Sequence, residues 1–142
     1  MRTLFLPLVA ALALASPLLM AADRTAPAEG AKVYFISPAD GETIEGPVTV
    51  RMGISGMGVA PAGVEVDKTG HHHLLINKTT EDVDLDASLP FSDTTRHFGG
   101  GQTEAKLDLP AGTHTLQLLF MDYRHMRFDP PVSSDVITIT VE

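Results

Sequence analysis

Residues 70–77 read GHHHLLIN and hold three of the six histidines; the others are His97, His114 and His125. A neutral imidazole nitrogen binds transition metals, moves protons near neutral pH, or serves as a buried hydrogen-bonder. There is no cysteine, so thiolate ligation is excluded. A metal site here must draw on His, Asp, Glu, Met or backbone oxygen. Strand side chains alternate, which puts His71 and His73 on one face and His72 on the other with Leu74 and Ile76. Two residues apart at ~3.3 Å per residue, the Cα atoms of His71 and His73 stand ~6.5–7 Å from each other, close enough for both rings to reach one ion. His72 shares its face with core candidates and is expected to be structural, satisfying a backbone carbonyl.

His97 precedes Phe98-Gly99-Gly100-Gly101. Three glycines permit close backbone approach or positive φ, so this loop can bring His97 to the strand as a further ligand. The competing reading is a surface histidine in a hairpin loop. A phosphate nest is disfavoured, because no Lys-Ser/Thr follows the glycines. His125 lies between Met121 and Met126 in MDYRHMRFDPP. Thioether with imidazole suits copper, although methionine is also ordinary core filler. His114 falls on the Leu116/Leu118/Phe120 face and is read as structural. Gln102 and Glu104 at a strand start, and Asp122 and Asp129 around His125, are candidates to ligate a metal or to hold a ligating ring by its second nitrogen. The run Glu81, Asp82, Asp84, Asp86 lacks the spacing and glycine of a calcium loop and reads as a solvated loop.

No Gly-x-Ser-x-Gly elbow, cysteine nucleophile or His-Glu-x-x-His motif is present, so the chain is not expected to be an enzyme. Coordination needs neutral imidazole with an ordinary pKa of ~6.5, so metal binding is expected to weaken as pH falls through that value.

These residues need strands to carry them. Val48, Val50, Met52 and Ile54 alternate with Thr49, Arg51 and Gly53; Leu116, Leu118 and Phe120 share a face; Ile137, Ile139 and Val141 alternate with Val136, Thr138 and Thr140. Short strands are also expected at Val64–Val66 and Lys106–Leu109. Residues 77–105 form a long acidic and then Gly-rich connection, of the kind that is often functional in a small domain. YRHMRFDPPVSS reads as a loop stiffened by Pro130-Pro131. No stretch keeps a helical period over three turns, so an all-β sandwich of about seven strands is expected.

The first residues, MRTLFLPLVAALALASPLLMAAD, read as a secretory signal with Arg2 as n-region, an apolar core at Leu4–Leu14 and a small-residue end at Ala21-Ala22. A retained anchor is the alternative. The expected organisation is a signal peptide at 1–22, a flexible tether at 23–31 and one sandwich domain at 32–142. Lys and Arg total 10 against 18 Asp and Glu, and Arg2 is the only charge in residues 1–22. An acidic remainder argues against nucleic acid or anionic membrane as partners. It favours a cation.

ISPADGETIEGPVTV, and LPAGTHTLQLLFMD followed by VITITV, resemble the first and last strands of bacterial immunoglobulin-like and fibronectin-like modules. The resemblance implies an immunoglobulin-like antiparallel sandwich and no particular function. The ordered set GHHHLLIN, HFGGGQTEAKLDLPAGTHTLQLL and DPPVSSDVITITV resembles the exported bacterial family known as domain of unknown function 4399, over residues 33–141. That resemblance implies fold and export, not chemistry. Family members often carry extra histidines before the Pro-Pro; here His125 stands alone. The reading is a periplasmic protein that binds a transition metal, copper favoured over zinc, through His71, His73, His97 and His125, for metal delivery, storage or sensing. A periplasmic partner protein is a further expectation. The alternative is a metal-free interaction module whose long loop meets such a partner.

Overall fold

The computed structural model describes residues 23–142. The expected signal peptide at 1–22 lies outside the described residues. Ten strands follow in order: β1 (Lys32–Ser37), β2 (Thr43–Ile44), β3 (Val48–Ser55), β4 (Gly58–Val59), β5 (Thr69–Ile76), β6 (Thr95–His97), β7 (Glu104–Leu107), β8 (Gly112–Met121), β9 (Arg127–Ser133) and β10 (Ile137–Val141). Seven of them run four residues or more; β2, β4 and β6 are short additions. Among the described residues there is no helix, and so none long and apolar enough to cross a membrane.

The chain is an all-β sandwich. One sheet has the order β1-β3-β7; the other runs β2-β10-β8-β5-β4, with β6 also on β5 and β9 also on β8. Most pairs are antiparallel, while β2/β10 and β4/β5 are parallel. The alternation read from sequence sets which side chains meet. Val33, Val48, Val50 and Met52 face Leu74, Ile76, Leu116, Leu118, Phe120, Ile137, Ile139 and Val141 across one core. Each such side chain contributes ~1.5–3 kcal/mol by leaving water.

Local details depart from expectation. Val64–Val66 is not a strand; that loop instead donates Ala62 N to Gly99 O and Gly63 N to Tyr123 O. The strand expected at Lys106–Leu109 runs Glu104–Leu107. Residues 127–133, expected as loop, form β9. The prolines fit there because β9 pairs with β8 only through Arg127, Val132 and Ser133, with a register shift between. Exposed Pro130 and Pro131 therefore owe no N–H to a neighbour, as at a sheet edge. Residues 23–31 form no strand, yet Thr25 O accepts from Asp129 N at 3.0 Å and Arg24 pairs with Asp86 at 3.0 Å.

The outer face of β5 and β8 is also buried. His71, His73, Leu75, Gln117, Leu119 and Met121 are 6 % exposed or less. The long connection after β5 folds back over that face, where Thr80 N donates to Gln117 Oε1 at 2.8 Å. Asp86 fixes the connection to β9 by pairing with Arg127 at 2.9 Å. The sheet is thus covered on both sides.

Candidate metal centre

Strand pairing brings three of the histidines to one place. His73 lies directly opposite His97 in the β5/β6 pair. Phe98 N donates to His72 O, and Ile76 N to Thr94 O. This pattern makes His73/His97 a non-hydrogen-bonded pair, the type in which side chains approach most closely. Their ring centroids are 4.9 Å apart. His71 stands two residues from His73 on the same face, with centroids 4.8 Å apart. Met121 is its partner across β8.

The fourth ring comes from the turn between β8 and β9. His125 N donates to Asp122 O at 3.0 Å and Asp122 N to Met126 O at 2.9 Å. Asp122 Oδ1 accepts from both Arg124 N and Met126 N. The turn holds His125 at φ 63°, a left-handed conformation that non-glycine residues seldom adopt. Its ring then hangs over the face of β5, with centroids 4.9 Å from His71 and 4.6 Å from His97. Gly99 makes room on the other side. A Cβ there would collide with the His97 ring, so only glycine lets that imidazole lie back towards the cluster.

His71, His97 and His125 each offer a ring nitrogen, and the three atoms lie within 4.8 Å of one another. Nitrogens sharing one ion at ~2.0–2.1 Å are at most ~4.2 Å apart, so closing the triad takes movements below ~1 Å. His97 Nε2 and His125 Nε2 already stand 2.9 Å apart, a hydrogen bond between one protonated and one bare nitrogen. Tetrahedral ligation would open them to ~3.3–3.4 Å. His73 sits behind the triad, 6.1 Å from His125 between centroids. His71 Nδ1 and Nε2 and His73 Nδ1 are buried without a hydrogen-bond partner among the described residues. Buried polar atoms are normally satisfied. Here neutral rings, each with one N–H and one bare nitrogen, crowd together without bonding partners at His71.

Burial is the first cause of the electrostatics. It pushes His71 down to about 4, reinforced by His125 and His97, with Asp122 opposing. His73 falls to about 2 through burial and then its neighbours His71, His97 and His125. His97 is lowered by burial and by His125. His71 and His73 are therefore neutral bases at any ordinary pH, the state that coordinates. The expected fading of metal binding near pH ~6.5 is accordingly shifted to lower pH at these two positions.

Other candidates fall elsewhere. His72 faces the core, edge-on to Phe120 at 5.0 Å. Both its ring nitrogens are buried without a partner among the described residues, so the expected bond to a backbone carbonyl is absent. His72 O is occupied by Phe98 N. His114 is structural and fully satisfied: its Nε2 lies 2.7 Å from Pro110 O and its Nδ1 3.0 Å from Asn77 Nδ2. A carbonyl only accepts, which assigns the proton to Nε2. Glu104 pairs with Arg51 at 2.7 Å on the outside of the three-stranded sheet. Gln102 accepts from Gly100 N, and Asp129 pairs with Arg127. None of them touches the cluster. Asp122 does not hold an imidazole either; its oxygens are taken by the turn and by Arg124. The role of Gly99 and the left-handed His125 were not legible, since both depend on where rings lie after folding.

The family model described as Domain of unknown function (DUF4399) matches residues 50–142, a span holding all six histidines. No curated protein matches. Among solved structures the chain is similar to the endo-beta-1,4-mannanase from Thermotoga petrophila, at 23% sequence identity with a TM-score of 0.43. The likeness covers 79% of this chain and 20% of that one, so this chain spans a fifth of its length.

Proposed function

We propose, for a chain that belongs to the family Domain of unknown function (DUF4399), that its histidine cluster serves metal binding: His71, His97 and His125 hold one transition-metal ion, with His73 as a fourth donor behind them. The observation that carries this is the meeting of four imidazoles from β5, β6 and the β8/β9 turn around nitrogens left without partners. The centre has a buried floor, His71 and His73, and a half-buried rim, His97 and His125. An ion can therefore exchange at the rim while the floor stays dry.

Copper is the favoured ion. The donors are imidazoles without thiolate, and divalent affinity for such sites peaks at copper in the first-row order, ahead of zinc. Met121 opposite His71 adds a thioether on the same face. With the signal-like first residues, this supports a periplasmic, non-enzymatic protein for metal delivery, storage or sensing, handing its ion to a partner protein. Nucleic acid and the membrane are not proposed as partners, given the acidic charge.

Equilibrium titration of the purified chain with Cu(II) and with Zn(II) tests the reading. One ion bound per chain, copper more tightly, is expected. No saturable binding would leave the protein as a metal-free module whose imidazoles pack on one another.

A further inference from the structure

We infer that Asp122 determines which ions the imidazole cluster prefers, acting both as the template of the turn that presents His125 and as the counter-charge that favours divalent over monovalent ions. The inference rests on the metal reading above. Asp122 carries a side chain only 3% exposed, whereas the carboxylates of the other ion pairs are 58% exposed or more. It holds the turn at both ends, because Oδ1 accepts from Arg124 N at 2.8 Å and from Met126 N at 2.9 Å. Oδ2 accepts from Arg124 Nε and Nη2 at 3.2 and 3.0 Å. No imidazole nitrogen takes either oxygen, so the carboxylate acts on the cluster through space and through His125.

Through space, the two partners of the Asp122/Arg124 pair are unequal. The carboxylate is enclosed, while the Arg124 side chain is 40% exposed and its charge is screened by water. The field reaching the cluster is therefore that of the anion. Asp122 directly follows Met121, the cross-strand partner of His71, and is the one buried carboxylate among the described residues. A donor set of four neutral rings brings no charge of its own. The enclosed carboxylate then sets how the site weighs ion charge, because its attraction for a 2+ ion is twice that for a 1+ ion at the same place.

This yields a quantitative signature. Removing the charge should cost a divalent ion about the square of the factor it costs a monovalent one. Asp122→Asn keeps an acceptor at the Oδ1 position for the two backbone N–H groups and removes the charge. We expect it to weaken Cu(II) and Zn(II) about tenfold and Ag(I), a redox-inert monovalent stand-in, about threefold. Arg124→Gln removes a water-screened charge and should do the opposite by a smaller factor, strengthening Cu(II) and strengthening Ag(I) by about the square root of that factor. A structural role alone predicts equal losses for all ions in both variants. The measurement is competitive titration of the purified chain and the two variants with each ion, beside thermal melts. Binding by the parent with equal losses for both charge classes, or Cu(II) weakened by Arg124→Gln, overturns this inference alone. No binding of any ion by the parent overturns the metal reading, and this inference with it.

Discussion

The two faces of β5 are equally buried and chemically opposite. On the inner face His72 shares its side of the strand with Leu74 and Ile76 of the core, packs edge-on to Phe120, and its nitrogens have no hydrogen-bond partner among the described residues. On the outer face His71 and His73 meet His97 and His125. Burial alone therefore does not make a site. Both faces keep imidazole neutral, His72 about 4 through burial and His71 about 4 through burial and its neighbours. Only the outer face gathers neutral bases around a common point. The inner ring is a cost to the fold; the outer rings are a cost that a bound ion can repay.

Acid should break both faces together and gives the largest expected effect. The unfolded chain binds protons at its imidazoles near pH ~6.5. The folded chain does not bind them at His71 and His72 until about 4, nor at His73 until about 2. Between those values the unfolded state holds more protons, so stability is complete above pH ~6.5 and is lost as pH falls towards 4. Urea melts of the ion-free protein from pH 7.5 to 4.5 should show a steadily falling midpoint. A midpoint that stays level over that range would mean that these rings charge freely in the folded chain.

Substitutions should then separate the faces. His71→Ala and His97→Ala are each expected to weaken copper by at least ~1.4 kcal/mol, a tenfold loss. His72→Ala should change affinity less than ~0.6 kcal/mol, within threefold. Calorimetric titration of the three variants decides it, and equal losses would erase the distinction drawn between the faces. For stability the order is reversed. The sequence reading gives His72 a hydrogen bond to lose, and the structure gives it none. His72→Leu fills the same inner space without two unsatisfied nitrogens. It should raise the unfolding free energy by ~1–2 kcal/mol, read as a higher urea midpoint.

How much of this was legible follows from what each feature depends on. Alternation is local, so the assignment of His71 and His73 to one face and of His72 to the core face can be read from GHHHLLIN. The core strands β3, β8 and β10 were legible for the same reason. The His73/His97 pairing depends on register between segments more than twenty residues apart, and Gly-rich sequence between them says only that approach is sterically allowed. β9 was hidden because Pro130-Pro131 forbids a regular ladder, and the structure places them on an edge where no ladder is required. Glu104 looked equivalent to Asp122 as a carboxylate near a histidine. Pairing with Arg51 across β3/β7 carries Glu104 to the opposite sheet.

The smallest effect probes the rim alone. His125 occupies the left-handed position at φ 63°, where a residue with a Cβ costs ~1–2 kcal/mol that glycine does not. Glycine instead loses ~0.5–1 kcal/mol of chain entropy on folding. His125→Gly should therefore leave stability level or raise it by roughly 0.5 kcal/mol, the difference between those two terms. The same change removes the bond from His125 Nε2 to His97 Nε2 and one of the three closest donors, so copper should weaken tenfold or more. A variant that is no less stable yet binds worse is what a residue kept for ligation at the fold's expense must give. If His125→Gly unfolds at clearly lower urea instead, the ring is packing that the turn needs, and the rim belongs with the inner face after all.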